Sequence, residues 1–221
     1  MNAVIIGAGT GLYQILDAVS YVHSSPSVFF SAVFDNDPAL RGKEIDDSGH
    51  LRVQGGKDEL LGWHAYRPSD YAIISIGDPG PRKEWREYCN SIGMSLISVV
   101  DPSTRQSRWS DIGPGCLISA HCHLGAHAKI GHNCKLSPYC SIEHHSEVGD
   151  DCTFGPGVIT SGNVKIGSRC KFGTGIFIEP RLTIGDDCVI ASGAVITMSV
   201  PAGHLVRTKI NNSVVEIPRS C

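Results

Sequence analysis

The stretch Ile112-Gly-Pro-Gly-Cys-Leu-Ile118-Ser-Ala-His-Cys-His-Leu124-Gly-Ala-His-Ala-Lys-Ile130 returns an aliphatic residue at every sixth position. The same phase runs on through Leu136, Ile142, Val148, Phe154, Thr160, Ile166, Phe172, Ile178, Ile184, Ile190 and Ile196, and only Thr160 is polar. The residue after each key position is usually Gly, otherwise Ser, Ala or Thr, with Glu143 and Glu179 as exceptions. The fourth residue after each is small or apolar. An unbroken period of six is the signature of a parallel β-helix built from hexapeptides. Three hexads close one triangular coil, so residues eighteen apart stack at the strand spacing of about 4.8 Å. Aliphatic key residues fill the prism, and the small residue lets the chain turn the corner inside. Each coil pairs its backbone only with its neighbours, so the ends need caps. The preceding domain covers one end and the tail from Pro201 the other.

This phase also explains the cysteines. Seven of the nine (Cys116, Cys122, Cys134, Cys140, Cys152, Cys170 and Cys188) fall at the small inward position, and no Cys-x-x-Cys occurs. They read as small apolar core residues, not as a disulfide or metal framework. Free buried thiols suit a reducing compartment. Net charge is −3 with no basic run, which gives a nucleic-acid partner no electrostatic support. Apolar runs such as Val4 to Ile6 and Tyr71 to Ile76 are too short to cross a bilayer. A strand that starts at Asn2 leaves no room for a signal peptide, so a cytoplasmic location without membrane contact is expected.

The first hundred residues follow a different rule. Asn2-Ala-Val-Ile-Ile-Gly-Ala-Gly-Thr-Gly11 reads as a buried strand entering a glycine-rich turn, and Leu12 to Val22 has helical apolar spacing. Val28 to Phe34 and Asp70 to Gly77 are further strands, Pro79 to Ile92 is a helix, and Ser95 to Val100 is a last strand. Strands alternating with helices predict a small parallel, Rossmann-like sheet. The expected division is an α/β nucleotide-binding domain over residues 1–103 and a β-helix over 104–221.

Glycines at 7, 9 and 11 let a ligand approach the backbone at a helix N-terminus, where free N–H groups favour phosphate. Leu12 stands where the full dinucleotide fingerprint needs glycine, and no second mononucleotide half follows, so a nucleotide diphosphate sugar fits better than NAD. Asp35 and Gly77 open two more loops on the same carboxyl edge. Along the prism, six of the ten histidines lie between 121 and 145. His144 and His145 take the third and fourth places of Ile142-Glu-His-His-Ser-Glu147, an outward turn, with Ala126 stacked below His144 and Gly162 above it. An imidazole so placed can serve as a general base, or can be a solvated loop histidine.

The glycine turn, the following β-helix, Ile142-Glu143-His144 and Ser161-Gly-Asn-Val-Lys-Ile-Gly167 together resemble the NeuD/PglD type of sugar acetyltransferases, over nearly the whole chain. The resemblance implies a left-handed β-helix, a homotrimer with active sites between neighbouring prisms, and acetyl-CoA as co-substrate without a metal. It implies transfer of an acetyl group to an amino group of a nucleotide-linked amino sugar, with a sialic-acid hydroxyl as the alternative acceptor. Carried over by position, His144 is the base, Gly162 offers its N–H to the oxyanion, and Glu143 and His145 flank the base. Gly9, Thr10 and Gly11 match the nucleotide-sugar loop, Asp35 and Asn36 the segment near base and ribose, and Gly77 a sugar-side contact. Thr153, Gly162, Thr174 and Ser192 match contacts to the CoA arm.

Three places depart from the family pattern. His145 stands where an acid commonly follows the base, Thr153 replaces a histidine, and Val206-Arg-Thr-Lys-Ile210 replaces the turn bordering the CoA adenine. Glu143, Glu147 or a neighbouring subunit could supply the missing acid. The departures also keep open a catalytically weakened protein that binds nucleotide sugars. The clustered histidines leave a metal-dependent hydratase as a rival, although His127 and His132 occupy different phases of their hexads.

Overall fold

The computed structural model describes residues 1–20, 28–46 and 49–207. The helix predicted to reach Val22 is described only to Ser20, and the departure noted at residues 206–210 is described only as far as Arg207.

The N-terminal part is a four-stranded parallel sheet: β1 (Asn2–Ile6), β2 (Phe29–Phe34), β3 (Val53–Gly55) and β4 (Tyr71–Ile74), in the order β3-β2-β1-β4. Helices α1 (Gly11–Ser20), α2 (Lys57–Tyr66) and α3 (Pro79–Ser91) connect or follow the strands. Helices cover both faces, so the strands are continuously apolar instead of alternating. Ile5, Val33 and Ile73 pack with Leu12 and Ile15 of α1 on one side. Val4, Ile6, Phe34 and Ile74 pack with Leu60 of α2 and Trp85 and Cys89 of α3 on the other. Asp78 caps α3, its side chain accepting from the Gly80 N–H at 3.3 Å. β3 and α2 lie in a stretch whose sequence pattern singled out no element.

The predicted last strand, Ser95 to Val100, is divided between the two parts. Leu96 bridges Ala72 at the sheet edge, and the Ile97 N–H donates to the Ala72 carbonyl. β5 (Val99–Val100) instead pairs with Leu117–Ile118 of the β-helix. Two residues thus carry the chain from one hydrogen-bonded sheet into the next.

From there the chain winds as a parallel β-helix. Every key residue from Ile112 to Ile196 is the second residue of a two-residue strand, and the strands form three stacked sheets. The first face runs from β5 through Leu117–Ile118 and Lys135–Leu136 to Leu205–Val206. The second runs from Arg105–Gln106 to Val195–Ile196, and the third from Asp111–Ile112 to Thr183–Ile184. Partners are eighteen apart, as in Lys135 with Thr153 and Thr153 with Lys171. Coiling therefore begins at Val100 and Gln106, two hexads before the aliphatic period is visible at Ile112, because polar Gln106 hides it.

The corners show why the fourth residue of each hexad is Gly, Asn, Asp or His so often. That residue is left-handed in fourteen of the fifteen hexads, with φ between 54° and 64° at ten non-glycine positions such as Asn133, His145 and Asp151, and positive φ at Gly115, Gly157, Gly175 and Gly193. Asn, Asp and His tolerate this region better than branched residues do. The seven cysteines predicted inside are buried, and each thiol donates to a carbonyl of the coil above, as Cys134 does to Gly149 at 3.1 Å. Small enough for the corner, they also satisfy its carbonyl.

The first face of the prism is covered by the N-terminal domain. Leu117 belongs to the core under α1. Arg82 of α3 is fully buried and donates to the carbonyls of Ile74, Ile76 and Asn133, while Arg86 pairs with buried Asp151 at 2.6 Å. Asn133 completes the joint by donating to Asp151 at 2.8 Å.

Candidate functional site

His144 sits at the corner between the second and third faces, exposed, with its ring over Gly162 of the next coil. Eighteen-residue stacking sets this position: the His145 N–H donates to Ala126 and the Asn163 N–H to His144, each at 2.9 Å. A Cβ at position 162 would stand 2.5 Å from His144 Nε2 and overlap Cε1. Gly162 is not left-handed, so glycine is present there for space.

The Gly162 N–H is also free. In the corner between the third and first faces, the equivalent amides are taken by side chains from the coil above: His132 by Asp150, Asp150 by Ser168, and Ser168 by Asp186. Above Gly162 stands Pro180, which has no such acceptor, and among the described residues the Gly162 amide has no partner. An open N–H beside an outward imidazole is the arrangement an oxyanion requires.

His145 follows His144 directly, at the position where the resemblance led an acid to be expected. Its Nδ1 lies 3.2 Å from Nδ1 of His144. One of the two must carry the proton. If His144 donates, its Nε2 is left bare for use as a base. His145 stacks in turn on His127, with centroids 4.9 Å apart, and His127 on Trp109 at 6.2 Å. The column of aromatic rings holds the pair from below. Within the single chain the Glu143 carboxylate accepts from Ser141 at 2.8 Å and lies 3.9 Å from His123 Nε2. Glu147 faces Lys129 at 3.5 Å. Beside His144 opens a cavity of about 450 Å³ lined by Arg105, Arg108, Trp109, His123 and Glu143.

Thr160, the one polar key residue, acquires a reason here. It is fully buried, and its hydroxyl accepts from the Glu143 N–H at 3.0 Å, where a backbone carbonyl serves in other coils. The exception in the repeat thus anchors the turn that carries His144. Its polarity was visible in the sequence, but its partner was not.

The remaining expected residues fall elsewhere on the chain. Gly9, Thr10, Gly11 and Gly77 lie on the carboxyl edge of the parallel sheet, around the switch point between β1 and β4. Asp35 Oδ2 accepts from Ala8 at 2.8 Å and Oδ1 from Asp37 at 2.9 Å, so its carboxylate ties two of these loops together. Asp35 and Asn36 line a neighbouring cavity of about 300 Å³ with Gly56 and Lys57. Thr153 lies on the first face between Lys135 and Lys171, and the Lys171 ammonium reaches Asp78 at 3.6 Å. Thr174 and Ser192 stack at the corner between the first and second faces, where the Ser192 hydroxyl accepts from the Thr174 amide at 2.9 Å. Within one chain these groups occupy different edges from His144 and Gly162.

Among the described residues no group of three or more His, Cys, Asp or Glu side chains converges as a metal site would, and no helix is long and apolar enough to cross a membrane.

Comparison with known proteins agrees with the architecture. The bacterial transferase hexapeptide family (six repeats) matches residues 110–144, 127–162 and 163–197. No curated protein matches the sequence. A solved structure of a variant GDP-perosamine N-acetyltransferase from Caulobacter crescentus, in complex with CoA and GDP-perosamine, superimposes with a TM-score of 0.82 at 24% identity, covering 93% of this chain and 92% of that one. The acetyltransferase domain of PglB from Neisseria gonorrhoeae, in complex with acetyl coenzyme A, gives 0.80 at 20% identity, with 92% and 94% covered. WeeI from Acinetobacter baumannii gives 0.75 at 23%, with 93% and 96% covered. The chain thus carries bacterial transferase hexapeptide repeats and shares, from the parallel α/β domain to the left-handed β-helix, the fold of these solved structures.

Proposed function

We propose that this protein transfers an acetyl group from acetyl-CoA to an amino group of a nucleotide-linked amino sugar, with His144 as general base. The observation that carries the reading is the outward His144 imidazole, tied through Nδ1 to His145 and set over a glycine whose amide is unpaired. In the reaction the sugar nitrogen attacks the thioester carbonyl carbon while Nε2 of His144 takes its proton. The carbonyl electron pair moves onto oxygen, where the Gly162 N–H stabilises it. Collapse breaks the carbon–sulfur bond, and the departing CoA thiolate recovers the proton from the imidazolium. An imidazole at 145 supports this base less strongly than a carboxylate would, which suits an amine better than a hydroxyl. The solved relatives named with an amino sugar and CoA favour the same acceptor and donor.

A homotrimer accounts for the separation of the parts. The second face lies between the corner of His144 and that of Thr174 and Ser192, and its outward column of Ile159, Phe177 and Val195 is exposed. Prisms meeting along this column would bring one chain's base to another's binding loops.

The test is acyl transfer from acetyl-CoA to a panel of UDP-, GDP- and dTDP-linked amino sugars and to sialic acids. The wild type is expected to acetylate an amino sugar, and His144→Ala to lower kcat by roughly 10²–10⁴-fold. Unchanged turnover in the variant would remove His144 from the chemistry, and absence of transfer by the wild type would favour a sugar-nucleotide-binding protein.

A further inference from the structure

Lys135 lies on the first face of the β-helix, yet its side chain belongs to the N-terminal domain's glycine turn. The residue is only 7% exposed, and its ammonium lies 2.9 Å from where a Cβ on Gly11 would stand. A side chain at position 11 would also collide with the Ser75 carbonyl, so the turn has room only for glycine. Lys135 makes no hydrogen bond or ion pair among the described residues. Its charged neighbour is a second cation, Arg82, whose Nη2 is also without a partner. The carboxylates on the neighbouring loops of the sheet's carboxyl edge are engaged elsewhere: Asp78 with Lys171, and Asp35 with the amides of Ala8 and Asp37.

The turn that this ammonium faces is itself unsatisfied. The ten-residue helix α1 has no acidic residue in its first turn, and among the described residues the amides of Gly9, Thr10 and Gly11 donate to nothing. Free amides and the positive end of a helix favour an anion. A buried, unpaired ammonium directed at the same place requires one. Burial, and then Arg82, hold the Lys135 pKa down at about 8, as expected of a cation awaiting its counter-charge.

We propose that Lys135 is a binding residue for the diphosphate of the nucleotide-linked substrate, reaching across the domain boundary to an anion held on the Gly9–Gly11 amides. The β-helix then binds the nucleotide as well as carrying the acyl-transfer base. The sequence signal was slight: a lysine in an outward strand position that solvent would normally claim. This assignment rests on the proposed nucleotide-sugar reading only for the source of the diphosphate.

Calorimetric titration of the full-length protein tests it, with sodium pyrophosphate, GDP, UDP, dTDP and coenzyme A as separate probes. Lys135→Met is compared with the wild type, and Lys135→Gln is the second variant, with thermal unfolding confirming that both fold. The variants should bind pyrophosphate and the preferred nucleoside diphosphate 10- to 100-fold more weakly, with coenzyme A affinity changed less than 2-fold. Equal affinity for diphosphates in wild type and variants would overturn the proposal, as would a wild type that binds none of them at millimolar concentration. A loss confined to coenzyme A would overturn the assignment to the nucleotide. Lys135-dependent binding of pyrophosphate without binding of any nucleoside diphosphate would keep the anion site and sink the nucleotide-sugar reading instead.

Discussion

Lys135 shows how a single residue can be kept against the interest of stability. Its folded pKa of about 8 lies below the ordinary 10.5, chiefly because burial penalises the charge and secondarily because Arg82 repels it. Below about pH 8 the ammonium is charged in both folded and unfolded chains, so the folded state bears the whole penalty. Between about 8 and 10.5 the folded protein has released a proton that the unfolded chain still holds, and wild-type stability rises with pH. Lys135→Met should therefore be more stable than wild type at pH 7 by up to about 3 kcal/mol, with the difference shrinking as the pH approaches 10.5. Urea unfolding midpoints across that range measure it. A gap independent of pH would mean that the lysine is not held unpaired in the folded protein. Arg82 donates to the carbonyls of Ile74, Ile76 and Asn133 while burial holds its pKa below the usual arginine value, and Asp78 is paired with Lys171.

At the scale of the element, the hexad turn positions an imidazole through what its neighbours lack. Gly162 provides space above the ring, Pro180 leaves the Gly162 amide unclaimed, and Thr160 holds the turn from inside. Gly162→Ala should separate these roles. Its backbone is in a region alanine accepts, and the clash is with the end of a movable side chain, so stability should change by less than about 1 kcal/mol. The displaced His144 ring should nevertheless lower kcat at least about 100-fold. Full activity in this variant would show that the ring need not lie over position 162. The hexad period made His144, Gly162 and their stacking legible in the sequence, because residues eighteen apart must be neighbours once the coils are triangular. The same period could not show that His145 would turn its Nδ1 toward His144 while Glu143 turned toward Ser141, since side-chain torsions are set by local competition for partners.

For the whole molecule, the proposed homotrimer makes assembly a condition of the proposed activity. The exposed column of Ile159, Phe177 and Val195 is an apolar stripe on the face next to the base, and Phe177 is 52% exposed in the single chain. If the proposed trimer forms along this stripe, Phe177→Asp should yield monomers in sedimentation and abolish the proposed acyl transfer, while circular dichroism retains the β-helix signal. A monomeric variant with full activity would show that one chain completes the site. Interior registry should survive this change, because each coil is held by its neighbours along the prism, not by contacts across its faces.

The sequence by itself determined the prism: which residues point inward, where the coils turn, why seven cysteines are buried, and which imidazole stands outside. Those features follow from a covalent period and from the backbone's need to pair with the next coil, and both are written locally. Only the tertiary structure decided that Val99 leaves one sheet for another, that α3 locks onto Asn133 and Asp151, and that Lys135 ends beside Gly11. These depend on the docking of two surfaces far apart in the chain, where shape and charge complementarity select the contact and no repeat announces it.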